Sequence, residues 1–305
     1  MSAPTVISVP PGVAVAPDMP DLMSAVKLRR GIVGFLRRHP TVAVGGALLI
    51  LMLLMAVFAP YLGTVDPTAL APARRTRAPS AEHWFGTDML GRDLYSRVLY
   101  GARVSLTVGF SVATLASVAG LAIGLVSGYV RWVDAILMRV MDGLMSIPPI
   151  LLAVALMALT RGSVGNVIAA ITIAEIPRVA RLVRGVVLSL REQPYVDAAV
   201  AAGTRTPMII LRHILPNTLA PMTVQATYIC ASAMIVEAIL SFIGAGTPPT
   251  IPSWGNIMAE GRALWQVKPF IVFFPAAFLS VTVLAVNLLG DGLRDALDPR
   301  MAKGL

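Results

Sequence analysis

The chain has 305 residues, 56% of them hydrophobic and 13% charged, about half the charged share of a soluble domain. That balance excludes an ordinary soluble enzyme and points to an all-α integral membrane protein. The net charge of +9 raises a nucleic-acid reading, but the basic residues are scattered between apolar runs and form no stripe, so no nucleic-acid partner is expected. The single cysteine, Cys230, sits in an apolar run, which excludes an intrachain disulfide, and His39, His83 and His213 lie in separate polar segments. No metal site and no histidine-based active site are expected from this set.

Residues 1–25 are rich in Pro, Ala and Val without a sustained period, and read as a disordered cytoplasmic tail rather than a secretory signal. Segment 26–40 is basic, carrying Lys27, Arg29, Arg30, Arg37 and Arg38. The first transmembrane helix is placed at 41–63, where Val42 to Leu62 carries no charge and is long enough for a bilayer core of about 30 Å. Residues 64–103 form an extracytoplasmic loop. Gly86, Asp88 and Gly91 predict turns there. From Asp93 the spacing of Leu94, Val98 and Leu99, with Asp93 and Arg97 at i,i+4, predicts an amphipathic helix lying on the outer interface.

Residues 104–293 are expected to form a core of five further spans, giving six in all. Val104 to Val130 carries Gly120, Gly124 and Gly128 at intervals of four, a spacing that permits close helix packing. Arg131 to Asp142 reads as a short cytoplasmic turn. The third span, Gly143 to Thr160, is interrupted by Pro148-Pro149, which should kink or unwind it. The fourth begins at Val164. Beyond it Arg178, Arg181 and Arg184 recur every third residue, as a basic rim at the lipid headgroups would, with Glu175 expected to pair with Arg178 at i+3 or Arg181 at i+6, of which only the first is a natural helical neighbour. The fifth span, Asn217 to Thr247, holds one ionisable residue, Glu237. Trp254 and Gly255 stand in an outer loop at 248–268 and are candidates for contact with an extracytoplasmic protein, or, for Trp254, for interfacial anchoring. Phe270 to Gly290 is the sixth span, and 294–305 a cytoplasmic tail.

Between the fourth and fifth spans, 192–216 is polar. It reads as two short helices about a hinge, with Gly203 ending the first as a C′ glycine does and Thr206-Pro207 starting the second as N-cap and N1. Ala198, Ala199, Ala201 and Ala202 leave a thin surface that another backbone could approach. An ordinary helical hairpin fits the local chemistry equally well.

Here a resemblance enters. Asp197-Ala198-Ala199, then Gly203, then His213-Ile214-Leu215-Pro216 resembles the EAA loop of ABC importer permeases, with Asp197 where the pattern usually has Glu. GTDMLGRDLYSRVLYGARVSL before the second span and NLLGDGLRDALDPR at the end are similar to the dipeptide/oligopeptide (peptide/nickel/opine) branch. The resemblance covers roughly 80–300. It implies a six-helix type I importer permease fold in a bacterial inner membrane. It also implies a coupling helix involving Tyr195, Asp197, Ala198, Ala199, Gly203, Thr206 and His213. The implied partners are a second homologous permease, two ATPase subunits, an extracytoplasmic solute-binding protein and membrane lipid. ATP and Mg would be bound by the ATPases, and no cofactor by this chain.

The topology agrees with that implication. With both termini in the cytoplasm, sixteen of the 25 Lys and Arg residues fall inside, although Arg74, Arg75 and Arg77 go against the trend. There is no G-x-x-x-x-G-K-[ST], no H-E-x-x-H and no G-x-S-x-G, so no catalysis by this chain is expected. A second class, a self-sufficient ion-coupled transporter or channel, would need an intramembrane ionisable relay. Glu237 is its one candidate, and no internal repeat supports it.

Overall fold

A computed structural model describes residues 32–297. The chain divides into two compact units at Arg38/His39. The described part of the first is a short helix, α1 (Ile32–Arg38). Everything that follows concerns the second. The expected tail at 1–25, the basic residues Lys27, Arg29 and Arg30, and the last residues from 298 lie outside the described residues.

The second unit is helical, and among its described residues the only β-type pairing is an isolated bridge between Thr87 and Asp93. Its first helix is α2 (Pro40–Val57). Pro60 ends the apolar run earlier than hydropathy suggests: Phe58 and a single 3-10 turn, Ala59–Tyr61, close the helix, because the residue before a proline is pushed out of the α region. The next helix, α3, runs without a break for 36 residues from Leu94 to Tyr129. The expected interfacial helix is therefore the first turns of this span. Its apolar residues Leu94, Val98 and Leu99 are buried in the protein rather than laid on a membrane surface.

The expected turn at Arg131 is instead an amphipathic helix, α4 (Arg131–Met145). Pro148 then breaks the chain, and α5 (Pro149–Ala158) leaves at 87°. The proline pair thus produces a sharp break and not a gentle kink. Helix α6 spans Val164–Leu190 over 27 residues, with the Ser163 hydroxyl accepting from the Asn166 amide as N-cap. Four helices, α2, α3, the helix from Thr206 to Phe242 and α11 (Phe270–Leu297), are long and apolar enough to cross a membrane, or five with the bent α4–α5 pair. The expected count of six is not matched on that measure. Although α6 has the length, it carries Glu175, Arg178, Arg181 and Arg184 within one helix.

Helices α3 and α6 form the spine of the bundle, and their sequences show why. A Cβ added at Gly120, Gly124 or Gly128 would lie 2.4, 2.5 and 2.6 Å from the Cβ atoms of Val179, Val183 and Val187. A glycine ridge on one helix receives a valine ridge on the other at the same four-residue period, so the backbones approach to a distance any side chain would prevent. The partner of the small-residue spacing is thus another helix of the same chain. About three turns nearer the start of α3 than Gly120, and on nearly the same face, Gly109 packs against Cys230 and Met234.

Arg178, Arg181 and Arg184 of α6 stay partly exposed, as a rim would, but each is engaged in an ion pair. Arg178 pairs with Glu175 at 3.1 Å, as its i+3 spacing suggests, and its guanidinium lies over the Tyr228 ring. Arg181 pairs with Asp142 at 2.5 Å, and Arg184 holds Asp134 through two bonds, one of 2.7 Å. The last two pairs stitch α6 to α4.

At the end of the bundle where α3 starts, a second set of charges is buried. The Asp88 carboxylate accepts from the amides of Leu90 and Arg92 and from the guanidinium groups of Arg92 and Arg97. Arg92 and Arg97 in turn reach Glu260, which belongs to the short helix α10 (Trp254–Gly261) of the 248–268 loop. Arg97 does not pair with Asp93. The Asp93 carboxylate instead caps α3, accepting from the Ser96 amide at 2.8 Å, and its other oxygen meets His83 Nδ1 at 2.9 Å. The GTDMLGRDLYSR stretch is thus a clamp that fixes two segments separated by about 160 residues of sequence.

Candidate coupling site

At the opposite end of α3, a short turn after α6 leads into α7 (Pro194–Ala201). Pro194 lies four residues past the last residue of the preceding helix, Leu190. It is the first residue of α7, where its missing N–H costs nothing. Asp197, Ala198 and Ala199 therefore lie within a helix, with Asp197 in its first turn, where the helix dipole favours an anion.

The exit from α7 is a Schellman motif. The Gly203 amide donates to the Val200 carbonyl at 2.9 Å and the Thr204 amide to the Ala199 carbonyl at 3.1 Å, with Gly203 at φ 76°. The hinge assigned to Gly203 is a conformational requirement. A left-handed residue closes the helix and turns the chain through the angle that the second limb needs.

That limb begins with α8 (Thr206–Ile209). Thr206 is its first residue and makes no capping bond; Arg205 occupies the N-cap position. One π-helical turn at Ile210–Ile214 follows, then α9 (Leu215–Phe242), so the second limb is continuous with a membrane-crossing helix. Three buried side chains fasten the elbow to the bundle: Val196 on α7, and Ile209 and Ile214 on the second limb. Across the hinge the Tyr195 and His213 rings meet at 6.4 Å, tying limb to limb. Behind α7, Tyr129, Arg191, Val196 and Asp197 line a cleft of about 400 Å³.

The outward surface of the elbow is open. Asp197, Ala198, Gly203 and Thr206 are exposed and Ala199 is half-buried, and the apolar Val200, Met208 and Leu211 are each more than half exposed. A thin, partly apolar face with one carboxylate, rigidly joined at one end to a long helix, can grip another protein and pass its displacement into the bundle.

The other candidates fall elsewhere. Glu237 is fully buried on α9, its Oε1 accepting from Ser241 at 2.8 Å. Ser241 continues through Thr247 to Ser253, the N-cap of α10, so Glu237 sits in a hydroxyl cluster that joins α9 to the 248–268 loop. Trp254 and Gly255 are not surface residues. Trp254 is fully buried with its indole N–H donating to the Val98 carbonyl at 3.0 Å, and a Cβ on Gly255 would meet the Ala238 backbone at 2.7 Å. Neither can touch an external protein or anchor at a lipid interface, because the loop folds inward onto α3 and α9. The buried Asp88–Arg92–Arg97–Glu260 network was not read from the sequence as a unit. Its signal was there, in charged residues flanking a turn rich in glycine, but their partner lies far along the chain.

The bundle, the broken α4–α5 pair and the exposed elbow define a class: a multi-pass helical permease of the type I ABC importer architecture. Among solved structures, a chain of the inward-facing MetNI methionine ABC transporter superposes with a TM-score of 0.55 at 21% identity, over 66% of this chain and 96% of that one. The chain belongs to the family of binding-protein-dependent transport system inner membrane components, whose profile matches residues 117–303. The profile of the N-terminal TM domain of oligopeptide transport permease C matches 31–79. It is 54% identical to the "Probable peptide ABC transporter permease protein y4tQ" of Sinorhizobium fredii, over 88% of this chain and 92% of that protein. It is 42% identical to the dipeptide transport system permease protein DppC of Alkalihalophilus pseudofirmus over 94% of each. The glutathione transport system permease protein GsiD of Pectobacterium atrosepticum is 40% identical over 88% of this chain and 89% of that one.

Proposed function

We propose that this chain is one permease subunit of an ATP-driven importer of small peptides. With a second, homologous permease it forms the pathway across a bacterial inner membrane, and both termini face the cytoplasm. Two ATPase subunits bind ATP and Mg on the cytoplasmic side and a solute-binding protein delivers the peptide from outside. The chain itself carries out no chemistry. The peptide assignment rests on the relatives named for peptide, dipeptide and glutathione transport.

The observation that carries the coupling role is the exposed α7 surface, held between two long helices with a Schellman turn at Gly203. An ATPase that seats α7 in a cleft closes on ATP binding, and the continuous helix from Thr206 to Phe242 carries the displacement into the bundle. Asp197 supplies the charged contact and Ala198 and Ala199 the close approach. A photo-crosslinking residue in place of Ala198, in the complex extracted from its own membrane, should give an adduct with the ATPase whose yield changes between ATP-bound and nucleotide-free states. A complex that hydrolyses ATP during peptide uptake, yet gives no adduct at this position in any nucleotide state, would remove the coupling assignment.

A further inference from the structure

Two cavities on the flank of α3 share Phe110. The upper one, about 630 Å³, lies between α2 and α3 and is lined by Leu53, Val57, Arg103, Leu106, Thr107 and Phe110. The lower one, about 310 Å³, adds Leu49, Ala113, Val118 and residues of α9 and α11. From Arg103 to Val118 the groove follows α3 for about 22 Å at the helical rise per residue. One hydrocarbon leaflet is about half of the ~30 Å bilayer core, so the groove is long enough for a single acyl chain, and below Arg103 its walls are apolar apart from the hydroxyls of Thr107, Ser111, Thr114, Ser117, Thr223 and Thr227.

Arg103 closes the end remote from the elbow. Its Nε donates to the Ala56 carbonyl at 2.6 Å and Nη2 to the Val57 carbonyl at 3.0 Å, and the guanidinium lies over the Tyr100 ring at 4.9 Å. The two carbonyls belong to the last turn of α2, where a cation is favoured. Among the described residues no carboxylate pairs with Arg103, although nearby Arg92 and Arg97 share two. A half-buried guanidinium with unused N–H groups, at the head of an acyl-length groove, is complementary to a phosphate on a diacyl chain. The geometry points to a bound anionic glycerophospholipid, its phosphate on Arg103 and one acyl chain between α2 and α3. The lipid fills the gap between α2 and α3, while the opposite side of α2 packs directly on α11, where Gly45 lets the backbones meet.

The test uses the full-length chain with its natural subunits, extracted, delipidated and titrated with phosphatidylglycerol or phosphatidylethanolamine of the same acyl composition, with native mass spectrometry as readout. The wild type should retain one phosphatidylglycerol with about tenfold preference, because the ammonium of phosphatidylethanolamine competes with Arg103 for the phosphate both lipids carry, a difference on the scale of one charge-assisted bond. Arg103→Ala should lose the preference, and Arg103→Lys should keep part of it. Because Arg103→Ala also uncaps α2, Thr107→Trp serves as the second variant. It fills the upper cavity while leaving Arg103 and its carbonyl bonds in place, and it should abolish retention of both lipids. Equal retention of the two lipids by the wild type, or an unchanged preference in Arg103→Ala, overturns the assignment. So does a Thr107→Trp variant that binds phosphatidylglycerol as the wild type does.

Discussion

Gly128→Ala is the sharpest probe of the spine. Its added Cβ would stand 2.6 Å from the Val187 Cβ and 2.7 Å from its Cγ1, while the next neighbour, the Arg184 carbonyl, is at 3.3 Å. Carbon atoms rest about 3.5–4.0 Å apart, so α3 and α6 must separate locally by about 1 Å. Overpacking of this kind costs about 1–3 kcal/mol. It also strains the Arg191 Nη1 bond to the Gly128 carbonyl, which is already 3.3 Å long, and that bond lies beside the elbow. Val187→Gly removes both offending atoms. The variant destabilises by itself through lost packing and helix propensity, but in the double variant the glycine has only moved from one helix to the other. The cycle should therefore return a favourable coupling of about 1–3 kcal/mol, against near-additivity for non-contacting sites. Thermal unfolding of the four proteins in one detergent reads it. A Gly128→Ala protein as stable as the wild type, or purely additive effects, would refute the ridge-on-ridge packing.

Gly203→Pro should abolish peptide uptake while leaving the protein in the membrane, since proline fixes φ near −65° where the Schellman turn requires 76°; Gly203→Ala should lose about 1–2 kcal/mol locally, read as faster amide exchange confined to 194–209. Asp88→Asn should destabilise by about 3–5 kcal/mol by leaving Arg92 and Arg97 with Glu260 alone, read as a lower unfolding temperature, and Asp88→Asn combined with Arg97→Met should recover part of it. Trp254→Ala should cost about 3–5 kcal/mol of stability, and the surviving protein should bind the solute-binding protein with unchanged affinity; a selective loss of that affinity at full stability would restore the surface role. Glu237→Gln keeps an acceptor for Ser241 and should leave uptake dependent on ATP and indifferent to a proton or sodium gradient. Loss of a gradient-driven flux in that variant would instead favour an ion-coupled carrier.

Uncharged runs, prolines and the polar break at 192–216 determined that the chain crosses a membrane repeatedly and that its elbow is wet. These are local properties: bilayer length sets the run, a missing N–H sets the proline breaks, and Gly203 can be assigned to a helix end because left-handed φ belongs to glycine. The glycine spacing in α3 was legible as a packing surface, but its partner was not, since Val179, Val183 and Val187 are an ordinary apolar stripe until the two helices are laid together. The tertiary structure alone decided the fate of charges and of loop aromatics. Arg181 and Arg184 resemble a lipid-facing rim in sequence and become cross-links to Asp142 and Asp134, while Trp254 resembles an exposed loop residue and becomes core. A charge or an indole carries no record of which distant group will neutralise or cover it. That depends on helix crossings set by backbone approach across the whole bundle, and no window of sequence contains both sides of such a contact.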